Sequence, residues 1–78
     1  MSSDNRIHYA GDDQLAVYTD TGTGDEYICE AKPSAALTDA VWRVRRAKAD
    51  GSRVEWAGGT TAYKYAATDL ATVMALFE

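Results

Sequence analysis

The stretch Ala40–Gly59, AVWRVRRAKADGSRVEWAGG, limits what this chain can fold into more than any other. Trp42 and Val44 alternate with Arg43 and Arg45, and Val54 and Trp56 alternate with Arg53 and Glu55. A period of two on both sides of Asp50-Gly51 reads as a β-hairpin with one sheltered face. A two-residue type I′ loop over Asp50-Gly51 would set Trp56 opposite Arg45 and turn the two tryptophan-bearing faces apart. A three-residue loop over Ala49, Asp50 and Gly51, with Gly51 left-handed, pairs Arg46 with Val54 and Val44 with Trp56. It puts Arg45 opposite Glu55 and brings both indoles to one face. Burying an aromatic side chain contributes roughly 1.5–3 kcal/mol, whereas an exposed Arg45–Glu55 pair adds at most about 1 kcal/mol. Packing therefore decides the register, and the three-residue loop is expected. Arg46 then lies on the tryptophan face near the turn, its stem covering the end of the core or its guanidinium stacked on Trp56.

Seventy-eight residues make one domain, and a chain of this length buries only about 60–65% of its extended surface. A hydrophobic content of 46% excludes disorder for most of it. The net charge of −4 speaks against a dedicated nucleic-acid binder. No apolar run approaches the length of a membrane span, and the polar, acidic start MSSDNRIHYAGDD is unlike a signal peptide. Cys29 is the single cysteine, which rules out an intrachain disulfide and suits a reducing compartment. Of the eight basic residues, Arg43, Arg45, Arg46, Lys48 and Arg53 fall on the hairpin. Such a stripe is either a solvated strand face that discourages edge association or a surface that docks an acidic patch on another protein.

Residues 1–13 read as a flexible N-terminal arm and residues 14–78 as one small β domain. Ile7 and Tyr9 are the arm's candidate contacts with a neighbouring subunit. QLAVYTD from Gln14 to Asp20 is a first strand, with Leu15 and Val17 on one face and Ala16 and Tyr18 on the other. The loop DTGTGD leads to a second strand, EYICEAK from Glu26 to Lys32, and the two form a hairpin with Tyr27 and Cys29 inward. Pro33 ends that strand. A short connection anchored by Leu37, with room for one helical turn, returns the chain to the central hairpin. Gly58-Gly59 breaks the chain, after which Thr61–Tyr65 reads as a further extended segment. In ATDLATVMALFE, Leu70, Val73, Met74 and Phe77 make a helical stripe that Thr68 would cap, while Val73, Ala75 and Phe77 also alternate as in a strand.

Catalytic constellations are missing from this pattern. His8 has no nucleophile near it in sequence, and one cysteine with one histidine cannot build an ordinary zinc site. DTGTGD lacks the EF-hand spacing, and neither a dinucleotide fingerprint nor a P-loop is present. No enzyme activity, cofactor or metal is expected. The set Tyr27, Trp42, Trp56, Tyr63 and Tyr65 is core material first and a sugar-stacking surface second.

The order Tyr27-Ile28-Cys29-Glu30-Ala31, Pro33, Ala40-Val41-Trp42-Arg43-Val44 and Trp56-Ala57-Gly58-Gly59 resembles a recurring pattern, "YIGxA-PG…W-x-I-x-K/R…ADG". It is similar to small proteins encoded with the virion structural genes of tailed bacteriophages. Cys29 and Ser34 stand where those proteins carry glycine. Their usual ending, "WDDR-x-S-L-x-Y", is replaced here by Ala67-Thr68-Asp69-Leu70 and a terminal Ala75-Leu76-Phe77, and that comparison favours a strand for the last segment. The resemblance implies a phage particle component, or a protein encoded beside such components. With no catalytic set among the residues, the expectation is a non-enzymatic virion structural protein, made in the host cytoplasm. It would serve as capsid cement or decoration, or as a small neck or tail component. Its partners would be major capsid, neck or tail proteins and further copies of itself, with no membrane and no specific nucleic acid. The alternatives are a saccharide- or host-surface-binding module and a phage-encoded regulator of a host protein.

The expected fold is mainly β: a small antiparallel barrel or sandwich of four to six strands, with a central hairpin over 41–58 and a C-terminal short helix or strand. The candidate partner-binding residues are Ile7, Tyr9, Arg43, Arg45 and Arg53.

Overall fold

The computed structural model describes residues 7–10 and 13–78. Five strands form one antiparallel meander in chain order: β1 (Ile7–Ala10), β2 (Asp13–Thr19), β3 (Glu26–Ala31), β4 (Arg43–Ala47) and β5 (Val54–Trp56). A 3-10 turn at Ala57–Gly59 and one helix, α1 (Leu70–Ala75), follow. The chain is mainly β and antiparallel with the central hairpin at its middle, as expected. The sheet stays open instead of closing into a barrel or doubling into a sandwich, because the layer over its one covered face is built from loops and α1. Ile7–Ala10, assigned to the arm by sequence, pair with β2 from Ile7 opposite Ala16 to Ala10 opposite Asp13.

The strands alternate as their sequence demands. Gln14, Ala16 and Tyr18 of β2 are buried, as are Tyr27, Cys29 and Ala31 of β3 and Val44 of β4. In register, Tyr18 faces Tyr27, Ala16 faces Cys29, and Cys29 faces Val44. On this floor sit Trp42, Ala57, Ala67 and Val73, with Leu37, Tyr65, Leu70, Met74 and Phe77 around them. The helical stripe of the C-terminal segment is therefore the face that packs, and the strand alternative is corrected. The cap is Asp69, whose carboxylate accepts the Thr72 N–H at 2.8 Å, and not Thr68.

Three buried polar side chains tie the covering layer down. The Tyr18 hydroxyl donates to Ala67 O at 2.7 Å. The Gln14 amide nitrogen donates to Lys32 O and Ala35 O at 3.0 and 2.9 Å. The Trp42 indole N–H donates to Ala36 O at 2.9 Å. Each satisfies a carbonyl that a loop running over a core would otherwise leave without a partner. The connection 33–42 makes turns and no helical turn, and Thr61–Tyr65 makes no strand beyond one bridge between Trp42 and Tyr65.

The register of the central hairpin differs from the sequence expectation. Arg45 faces Trp56, Arg46 faces Glu55 and Ala47 faces Val54. The Lys48 N–H donates to Arg53 O at 3.1 Å, so the loop spans the four residues 49–52. Four residues have the same parity as two, and the indoles lie on opposite faces of the sheet. The reason is room. Trp42 is fully buried and Ala57 fills the inward position next to Trp56, so a second indole there would overpack the core. The inward position of β5 goes to Glu55, which accepts from Arg46 Nε at 2.9 Å, while the Arg46 guanidinium lies 4.8 Å from the Phe77 ring centroid. Arg46 covers the end of the core as expected, on Phe77 and not on Trp56. Arg45 pairs with Glu30 and not with Glu55.

Asp25 joins the two hairpin turns. Its carboxylate accepts the Ala49 N–H at 2.9 Å and the Lys48 ammonium at 3.1 Å. The Ala49 N–H and then Lys48 hold this carboxyl below its usual range, and Arg46 followed by Arg53 does the same for Glu55. A depressed folded-state value means that stability is fully present above the unfolded value near 4 and is lost as pH falls through the folded value. Urea midpoints are therefore expected to drop on acidification below about pH 4. Asp25→Asn should flatten that limb, and an unchanged limb contradicts the turn-to-turn role.

Two glycines separate conformational from steric constraint. Gly51 and Gly58 both have positive φ, 75° and 62°. A Cβ on Gly51 meets nothing within 4 Å, whereas one on Gly58 falls 2.2 Å from the Tyr65 hydroxyl oxygen. Gly51→Ala is expected to lower unfolding free energy by about 1–2 kcal/mol. Gly58→Ala should cost about 3 kcal/mol or more, since overpacking adds to the backbone term. Equal losses in urea titrations would contradict this packing.

Candidate partner-binding surface

The face of the sheet opposite the core carries the chain's most organised cluster of charged and aromatic groups. Alternation sends Leu15 and Val17 of β2, Ile28 and Glu30 of β3, Arg43 and Arg45 of β4, and Val54 and Trp56 of β5 to this side. Among the described residues no helix or further strand is packed over it, and most of its side chains are half-buried. Val54 is 56% exposed.

At its centre Glu30 stands opposite Arg43. One oxygen, Oε1, accepts from Arg43 Nε at 3.1 Å and from Arg45 Nη1 at 2.8 Å. Two guanidinium groups thus share one carboxylate and leave a net positive centre on an acidic protein. Trp56 lies beside both: the Arg43 and Arg45 guanidinium carbons are 5.3 and 5.5 Å from its ring centroid. The Arg43 guanidinium is also 4.8 Å from the Tyr63 ring. Cation–π contacts at half-exposed sites contribute about 0.5–1 kcal/mol each. They give Trp56 a partner outside the core, and this is why the outward indole is tolerated.

Tyr63 leads on to an open groove of about 520 Å³, lined by Lys32, Pro33, Ser34, Ala35, Val41 and Tyr63. Val41 and Tyr63 are among the exposed large hydrophobic residues. Ser34 has φ 76°, the one described non-glycine residue in the left-handed region, at a backbone cost of roughly 1–2 kcal/mol. Around the rim, Lys32 is 3.7 Å from an Asp13 carboxylate oxygen and 5.7 Å from the Tyr63 ring, and the Tyr63 hydroxyl donates to Asp13 Oδ2 at 3.4 Å.

Of the residues singled out by sequence, Arg43 and Arg45 come together on this surface. Arg53 does not join them: its Nε donates to Glu55 Oε2 at 3.0 Å, on the side of Arg46. The backbone of Ile7 and Tyr9 lies in β1, at the edge opposite in chain order to β5, and their side chains are outside the described residues. Sequence reasoning left out Glu30 and Val41 as surface residues and gave Trp56 and Tyr63 a surface role only in its second, sugar-stacking reading. A signal for Glu30 was present, since an acid sharing the face of Ile28 on the strand before a basic strand is placed to pair across it. Trp56 and Tyr63 carried only that second reading, because an aromatic residue in a small chain reads first as core.

Other candidate groups are used internally. Among the described residues no three His, Cys, Asp or Glu side chains are grouped to hold a metal ion, and no helix is long and apolar enough to cross a membrane. Comparison with protein families, curated proteins and solved structures returns no match to the chain.

Cys29 lies in the core with no exposed surface, and burial pushes its thiol up to about 12 despite the nearby Arg45 charge. With its thiol raised this far, the chain holds little of the reactive thiolate at pH 8. Iodoacetamide is expected to leave the folded chain unmodified for hours and to alkylate it promptly in denaturing urea. Fast labelling of the folded chain would contradict the burial of β3 against β4.

Proposed function

We propose that this chain is a non-enzymatic structural protein of a tailed-bacteriophage particle, a capsid cement or decoration protein or a small neck or tail component, acting through protein–protein contact. The observation that carries the reading is the Arg43–Trp56–Arg45 cluster around Glu30, a rigid basic and aromatic surface on the side of the sheet away from the core. Aromatic residues and arginine are the types that dominate protein interfaces. Placement on strands, and not on loops, holds them in fixed geometry. The particle is suggested by the pattern resemblance of residues 26–78 to small proteins encoded with phage virion structural genes. The left-handed backbone at Ser34, where those proteins carry glycine, agrees with it. Major capsid, neck or tail proteins and further copies of the chain are the partners this reading names.

A sugar-binding surface is the weaker reading. The Trp42 indole is sealed in the core, and Trp56 and Tyr63 already carry guanidinium groups near their rings. Those contacts compete with the flat stacking that a saccharide requires.

Quantitative mass spectrometry of gradient-purified particles of the encoding phage tests the proposal. The chain is expected in a fixed, reproducible number of copies per particle. Its absence from particles, with the protein present in the infected-cell lysate, would overturn the assignment.

A further inference from the structure

The groove beside Tyr63 and the arginine cluster are not two features. Tyr63 lines the groove with one part of its ring surface and lies 4.8 Å from the Arg43 guanidinium. Apolar lining from Pro33, Ala35 and Val41 thus runs directly into a row of cations. Arg43 uses Nε and Arg45 uses Nη1 on the shared Glu30 oxygen. Among the described residues the Nη groups of Arg43 have no acceptor, so its end-on pair of N–H donors is open to a second carboxylate. Lys32, on the far rim, has a side chain 77% exposed, with Asp13 at 3.7 Å and the Tyr63 ring centroid at 5.7 Å.

We propose that the groove and the Arg43–Trp56–Arg45 row form one recognition surface for an acidic segment of another protein, bearing a leucine-sized apolar side chain next to its carboxylates. The groove takes the apolar side chain against Val41 and Tyr63. A carboxylate one or two residues away meets Arg43, because one residue of extended chain spans about 3.3–3.6 Å. Charge selects this occupant. The surface is a basic island on a chain of net charge −4, so basic segments are disfavoured. Glu30 and Asp13 within the island act against the close run of phosphates that a nucleic acid presents. The apolar groove favours a side chain over a bare acidic patch.

This inference rests on reading the chain as a contact protein, and its test separates the two. The isotope-labelled full chain is titrated with the capped pentapeptide Glu-Glu-Leu-Glu-Glu at low salt and followed by ¹H–¹⁵N NMR. Saturable shifts are expected at Val41, Tyr63, Arg43 and the Trp56 indole N–H, and salt should weaken them. Val41→Asp and Arg43→Gln, each checked for native dispersion, should weaken binding at least about tenfold, the equivalent of one lost charge-assisted contact. Should Arg43→Gln fail to fold, the exposed Val41→Asp carries the comparison. No saturable shift would overturn the inference. So would an equal response to Glu-Glu-Ser-Glu-Glu or Lys-Lys-Leu-Lys-Lys, or binding of an oligothymidylate alone. Val41→Asp protein that still incorporates into particles with undiminished copy number counts against this surface and leaves the virion reading standing. Peptide binding by a chain that is absent from particles does the reverse.

Discussion

Trp42 is the interaction on which the structure turns. Its indole is fully buried, and its N–H fixes Ala36 of the connection that enters β4. Its backbone exchanges two hydrogen bonds of 2.8 Å with Tyr65, which holds the segment leaving β5. One residue therefore joins the sheet to both loops of the layer above it. In so short a chain the core is too small for redundancy, and an aromatic anchor that also satisfies polar backbone replaces the second sheet that a sandwich would have supplied.

The two faces of the sheet follow from that anchor. With Trp42 and Ala57 filling the inward side, β5 cannot turn Trp56 inward, and Trp56 is stabilised where Arg43 and Arg45 lie beside it. Electrostatics follows packing: Glu55 goes in toward Arg46, and Glu30 goes out toward Arg43 and Arg45. The organised charge of the outer face is thus a consequence of limited room in the core.

Much of the fold was legible in the residues. The β2–β3 hairpin, Tyr27 and Cys29 inward, the end of β3 two residues before Pro33 and the anchoring by Leu37 all follow from alternation and turn chemistry acting locally. The stripe Leu70, Val73, Met74 and Phe77 already described the packed face of α1, and the pattern resemblance pulled the other way. The hairpin register was not legible, because an Asp-Gly pair fits loops of two, three or four residues and parity changes with each. The preference for two sheltered indoles assumed that only a core can satisfy an indole; a guanidinium pair does so too. The candidate surface was half legible for the same reason: basic residues at alternate positions announced Arg43 and Arg45, while the aromatic residues beside them looked like interior. Thr61–Tyr65 has the residue types of a strand, but among the described residues it pairs with no strand beyond the single bridge of Tyr65 to Trp42.

The central claim is that Trp42 and Trp56 lie on opposite sides of the sheet because Arg45 faces Trp56. These two residues form a non-hydrogen-bonded antiparallel pair, the kind whose Cα atoms approach to about 4.5 Å. Cross-strand Hα–Hα nuclear Overhauser effects in the free protein read this directly. The account predicts strong effects between Arg45 and Trp56 and between Ala47 and Val54. Effects between Val44 and Trp56 and between Arg46 and Val54 would contradict it.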